Sequence, residues 1–168
     1  MGHTIDFFAL PPGQIAKVRH AEGLEGLQRR LKEHGQMLTS LSLECEPVKA
    51  FKALEKLLET PLVCLLGAEV GPLDGRKTDP KAGLMGADDV SDTVDCFEGL
   101  SEALHIDLEE ADEDDDSELF DLRSLAEETA DGIDMAFDDF ETFVDELFET
   151  LKVALDKERA VVTLVSSA

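Results

Sequence analysis

The chain has no tryptophan and no tyrosine, so its nine phenylalanines carry all the aromatic bulk. No apolar run approaches the roughly 18–20 residues that span a bilayer. Met1 to Leu10 has no basic segment ahead of its apolar stretch, which Asp6 interrupts. Neither a membrane span nor a secretory leader is expected, and the expected setting is the cytoplasm. Cysteine is scarce: Cys45, Cys64 and Cys96 are scattered, with no C-x-x-C pair. An odd, dispersed set suits buried thiols in a reducing compartment better than disulfides or a metal. The four histidines, His3, His20, His34 and His105, are dispersed too, so no metal and no cofactor is expected. Positive charge is scarcest of all where it would matter. The net charge is −24, residues 1–60 hold eight acids and eight bases, and residues 88–149 hold 26 acids and one base, Arg123. Nucleic acid and anionic membranes both require basic surface, so the charge excludes them as direct partners. It permits a cationic protein partner, and equally a well-solvated surface with no partner.

What is present organises around the C-terminal end. From Ile133 to Leu155 the apolar residues recur at 133, 136, 137, 140, 143, 144, 147, 148, 151, 154 and 155, the spacing of one helix face. Asp134, Asp138, Asp139, Glu141, Asp145, Glu146 and Glu149 fall on the other face, and Asp131 is the expected N-cap. The period then changes. Ala160 to Val165 is a β-branched apolar run that predicts a buried terminal strand. Upstream, Thr4–Ala9 alternates as a strand. Pro11-Pro12-Gly13 opens a helix to about Ala21, and a second helix runs from Gly23 to His34, stopped by Gly35. Met37 to Leu43 alternates loosely, as an edge strand or an extended connector.

Pro47 starts a helix whose inward side is Val48, Phe51, Leu54, Leu57 and Leu58, and Thr60-Pro61 ends it. Leu62–Leu66 predicts a strand covered on both faces. Gly67 to Gly86 has no period and predicts a long loop. A helix capped by Asp88 then reaches Leu104 with Val90, Val94, Phe97 and Leu100 inward. Leu108 to Glu118 is almost wholly acidic and is expected to be mobile. A short helix from about Glu118 to Thr129 follows. At 168 residues these elements fit a single α+β domain, 1–168, with a small mixed sheet packed by helices.

No motif for chemistry withstands inspection. Gly71-Pro-Leu-Asp-Gly-Arg-Lys-Thr78 has the lysine and threonine of a phosphate-binding loop, but Arg76 stands where the second glycine must be, and Asp79-Pro80 follows where a helix should begin. Asp112, Asp114, Asp116 and Glu118 alternate as in a calcium loop, yet Ser117 replaces its glycine and Arg123 its final glutamate. No catalytic residue is assigned. Two functions remain. The leading one is a non-enzymatic binding module, like an inhibitor or immunity protein, whose acidic surface with Asp138 and Asp145 engages a cationic protein. The alternative is a small-molecule-binding protein or hydrolase with a site under the 67–86 loop, where Glu69, Asp74, Arg76, Lys77 and Asp79 would be the polar groups.

The helix Lys49-Ala-Phe-Lys-Ala-Leu-Glu-Lys-Leu-Leu58, the loop opening at Leu66-Gly67, the Val90 helix and the Phe140–Val165 end together resemble the YfbM-like family of uncharacterised bacterial proteins. The resemblance spans most of the chain and rests on structural motifs. It implies an α+β domain and no established activity. Phe51 stands where that family has tryptophan, and Lys52 and Glu55 where it has histidines. Any chemistry those histidines perform in relatives is not expected here.

Overall fold

The computed structural model describes residues 2–14, 23–60, 81–106, 109–110 and 117–167. Four strands, β1 (His3–Leu10), β2 (Gln36–Leu43), β3 (Lys81–Met85) and β4 (Ala160–Ser167), form one sheet in the order β2-β1-β4-β3. Among the described residues five helices accompany it: α1 (Gly23–His34), α2 (Pro47–Leu58), α3 (Ala87–Leu104), α4 (Ser117–Gly132) and α5 (Phe137–Asp156), with a 3-10 turn at Pro12–Gln14. The fold is α+β, with a long C-terminal amphipathic helix followed by a strand.

β4 lies between β1 and β3, and Ala160 to Val165 are all buried. A central strand is covered on both faces, which is why its β-branched run shows no alternation. β1 packs Ile5, Phe7 and Ala9 against the helical layer, opposite Val165, Thr163 and Val161 of β4. The sheet is antiparallel in every described pairing, where a mixed sheet was expected. The cause is where the connections return. Ala9 pairs with Gln36, Leu10 with Ala160, and Met85 with Val161, so β1 and β3 end at the sheet end where β2 and β4 begin. Gly35 makes the first return possible. Its N–H donates to Leu31 O at 2.8 Å, and a Cβ there would stand 2.8 Å from that same oxygen and 3.4 Å from Ala9 O. Only glycine lets the backbone pass so closely.

β3 was not expected, because it falls at the end of the stretch read as a loop. Its described inward residues are Gly83 and Met85, which offer no β-branched alternation to detect. The strand expected at 62–66, the helix expected up to Ala21 beyond Gln14, and loop residues 67–80 lie outside the described residues. So does most of the acidic run expected to be mobile. Of that run, Glu109 and Glu110 form a turn, and Ser117 and Glu118 begin α4.

The helical layer buries Phe51, Phe97, Phe140, Phe143 and Phe148. Phe97 of α3 stacks on Phe148 of α5, with centres 5.8 Å apart and planes 8° from parallel, and Phe51 tilts against Phe143 at 5.7 Å. Offset stacks of this kind hold two helices in one register. The long helix expected from 133 begins four residues later, and the short helix before it runs past Thr129. α4 continues to Gly132, so Asp131 sits in its last turn, and α5 starts at Phe137 with Ala136 as N-cap. The apolar period runs through the break because Ile133 in the turn is itself buried. Asp88, expected as a cap, lies inside the first turn of α3, and Gly86 holds the cap position.

Three helices end in the same way. Glu59, Asp134 and Glu158 have φ of 56°, 54° and 55°. After α4, Met135 N–H donates to Ala130 O and Asp134 N–H to Asp131 O. After α5, Arg159 N–H donates to Ala154 O and Glu158 N–H to Leu155 O. These are left-handed helix stops, in which a glycine is the usual residue and an acid stands here.

Candidate functional site

α5 carries seven acids and one base, Lys152. Its first turn carries Asp138 and Asp139, suited to the positive helix end. The α4–α5 turn brings Asp134 and Met135 beside the end of β2, and the two segments enclose a groove of about 460 Å³. Leu43, Met135 and Phe143 give it an apolar floor, and Glu44, Asp134, Asp139 and Glu146 supply carboxylates around it. Among the described residues none of these four carboxylates meets a basic side chain. Cys45 also lines the groove, and burial pushes its thiol above the ordinary value. It therefore stays protonated near neutral pH and is a poor nucleophile.

A second cluster lies two turns along α5. His105 is the C-cap residue of α3, and its N–H donates to Ser101 O at 3.1 Å. Its Nε2 lies 2.9 Å from both carboxylate oxygens of Asp145, and its Nδ1 lies 3.6 Å from Glu141. The hydrogen bond to Asp145 holds the imidazole above its ordinary value, aided by the charges of Asp145 and Glu141 and opposed by partial burial and by Arg123. Arg123 explains its own singularity. Its Nη1 donates to Leu104 O at 2.7 Å, and its guanidinium lies 4.9 Å from the centre of the Phe137 ring. A cation closes the negative end of α3, where the chain is otherwise acidic.

Of the residues expected to bind, Asp138 is exposed on α5, whereas Asp145 is half-buried and engaged by His105. Glu69, Asp74, Arg76, Lys77 and Asp79 lie outside the described residues. Glu44 and His105 were not singled out. They join α5 only through the fold, about 90 and about 40 positions away in sequence, and no local spacing marks such a meeting. Among the described residues no helix is long and apolar enough to cross a membrane.

No protein-family model and no curated protein matches the chain. Among solved structures it is similar to the crystal structure of YfbM from Escherichia coli, a protein of unknown function. The TM-score is 0.51 and the identity 12%, over 98% of this chain and 99% of that one. Identity so low speaks for the fold alone, and YfbM's own function is unknown. The resemblance read from the Lys49–Leu58 helix and the helix-strand end thus holds at the level of architecture, and the chain is related to the YfbM-like proteins by its fold.

Proposed function

We propose that this protein is a non-enzymatic binding module that holds a cationic protein on its acidic helical face, in a bacterial cytoplasm. The observation that carries the reading is the β2–α5 groove, where four carboxylates without a basic partner among the described residues surround an apolar floor. A lysine or arginine fits such a place. Its methylenes lie on Met135 and Phe143 while its charge meets the carboxylates. The remaining acids of α3, α4 and α5 supply a field that speeds encounter with a basic surface. The one thiol in the groove is held protonated, which favours binding over nucleophilic chemistry.

The partner is recovered from native lysate at low salt, and its association is followed by stopped flow. The rate is expected to fall about tenfold or more as salt rises from about 0.01 M to about 0.15 M, over which the Debye length shrinks from about 30 Å to about 8 Å. Asp139→Lys with Glu146→Lys is expected to slow association and speed dissociation. Asp121→Lys, on the exposed side of α4, is expected to change the association rate only slightly. Salt-independent rates, or groove reversals no worse than Asp121→Lys, would remove the groove from the mechanism.

A further inference from the structure

We propose that His105, Glu141 and Asp145 form a site for a divalent first-row transition metal, with zinc(II) as the reference ion. One ligand atom from each lies within 4.8 Å of the others. A metal bonded at about 2.0–2.2 Å to imidazole nitrogen and carboxylate oxygen needs ligand atoms roughly 3.4 Å apart, so side-chain rotation, chiefly of Glu141, must close the set. The donor chemistry selects the class. An imidazole nitrogen suits zinc, copper, iron and nickel, whereas magnesium and calcium prefer oxygen donors alone. Three protein ligands leave a further position open to water or to a ligand from outside.

The cluster differs from the surrounding acids in how it is held. Glu141 and Asp145 are one turn apart on α5, so they project from the same side of the helix. His105 comes from another element, and its backbone is fixed twice. Its own N–H bonds to Ser101 O, and the carbonyl just before it, Leu104 O, accepts from Arg123. The Phe97–Phe148 stack sets α3 against α5. His105 is half exposed, so the cluster is open to an ion from solvent. Nε2 already lies 2.9 Å from both oxygens of Asp145, so two of the three donors face one another across the space an ion would bridge.

The full chain, freed of metal by chelator dialysis, is titrated with zinc chloride by calorimetry and with cobalt(II) by visible absorption. One zinc per chain and a cobalt spectrum of low coordination number are expected. His105→Gln, Glu141→Gln and Asp145→Asn are each expected to weaken binding at least tenfold, while Asp121→Asn leaves it unchanged. Zinc should raise the melting temperature of the unaltered chain and not that of His105→Gln, because the ion ties the end of α3 to α5. Circular dichroism of each variant separates loss of ligand from loss of fold. No stoichiometric binding, or equal binding by His105→Gln, would reduce the cluster to an ion pair. Binding abolished by Asp114→Asn with Asp116→Asn and retained by His105→Gln would place the metal elsewhere and overturn the assignment. A metal site that fails leaves the groove untouched, since the two share no residue.

Discussion

Replacing Arg123 should cost more than any other single change of charge in the acidic half. The side chain is only 19% exposed and does three things at once. It donates to Leu104 O at 2.7 Å, and a hydrogen bond from a charged donor contributes about 1.5–3 kcal/mol. It sets a cation at the carbonyl end of α3, worth about 0.3–1 kcal/mol, and lies over Phe137, worth about 0.5–1 kcal/mol. The 3.7 Å contact with Glu127 adds little, because Glu127 is exposed. These contributions share one guanidinium and overlap. Arg123→Ala is therefore expected to lose about 2–3 kcal/mol, or roughly 5–10 °C in melting temperature for a chain of this size. Arg123→Lys keeps the charge but not the planar fork, so it should recover about half of the loss. Urea unfolding followed by circular dichroism gives the midpoint and the slope, and only the midpoint should move. The gap should narrow but persist as salt rises, since screening weakens the long-range attraction to neighbouring acids more than a partly buried hydrogen bond. A loss below about 0.5 kcal/mol, matching an exposed control such as Asp95→Ala, would refute the capping role.

Phe140→Ala and Leu147→Ala, both fully buried, should each destabilise by about 2–5 kcal/mol, while exposed Glu146→Ala should change stability by less than about 0.5 kcal/mol. Equal denaturation midpoints for the three would contradict the burial described for α5. Glu59→Gly and Glu158→Gly should each stabilise by about 0.5–1 kcal/mol, because glycine adopts a positive φ without the steric cost an acid bears. Calorimetry showing lower melting temperatures for both would mean that the acids make compensating contacts. For His105 the sign follows from its raised value. The stability it adds is fully present below the ordinary value of 6.5 and is lost as pH climbs through the higher folded value. With His105 half exposed, metal-free protein should exceed His105→Gln by about 0.5 kcal/mol near pH 6 and match it near pH 9. A stability difference that ignores pH would show that the His105–Asp145 bond contributes nothing.

What was legible in the chain is what hydrophobic period records. The helices over 23–34 and 47–58, the strands at both ends and the inward face of α5 all follow from one-dimensional spacing. Two boundaries were misplaced because a buried turn residue mimics a helical one. Ile133 continues the stripe although the backbone there has already left the helix. β3 was invisible since Gly83 and Met85 carry its buried side, and neither marks a strand. The helix stops were equally hidden, because Glu59, Asp134 and Glu158 fill a conformation usually announced by glycine. For the site, the excess of acid was plain, but its arrangement was not. The groove needs Glu44 from β2's end beside Asp139, and the cluster needs His105 beside Asp145. Such meetings depend on long-range packing, which spacing does not encode.

The place of β4 has a consequence for how the chain is born. Ile5 pairs with Val165, so β1 must wait for a neighbour roughly 160 residues later in synthesis. At about 5–20 residues per second on the ribosome, that delay is on the order of 10 s. Until then β1 can pair only with β2, and its other edge stays open, apolar and ready to meet another chain. Closing so distant a pair also slows folding once it can begin. The acids crowded between β3 and β4 are translated during this interval. Their mutual repulsion opposes association of nascent copies while the sheet is incomplete.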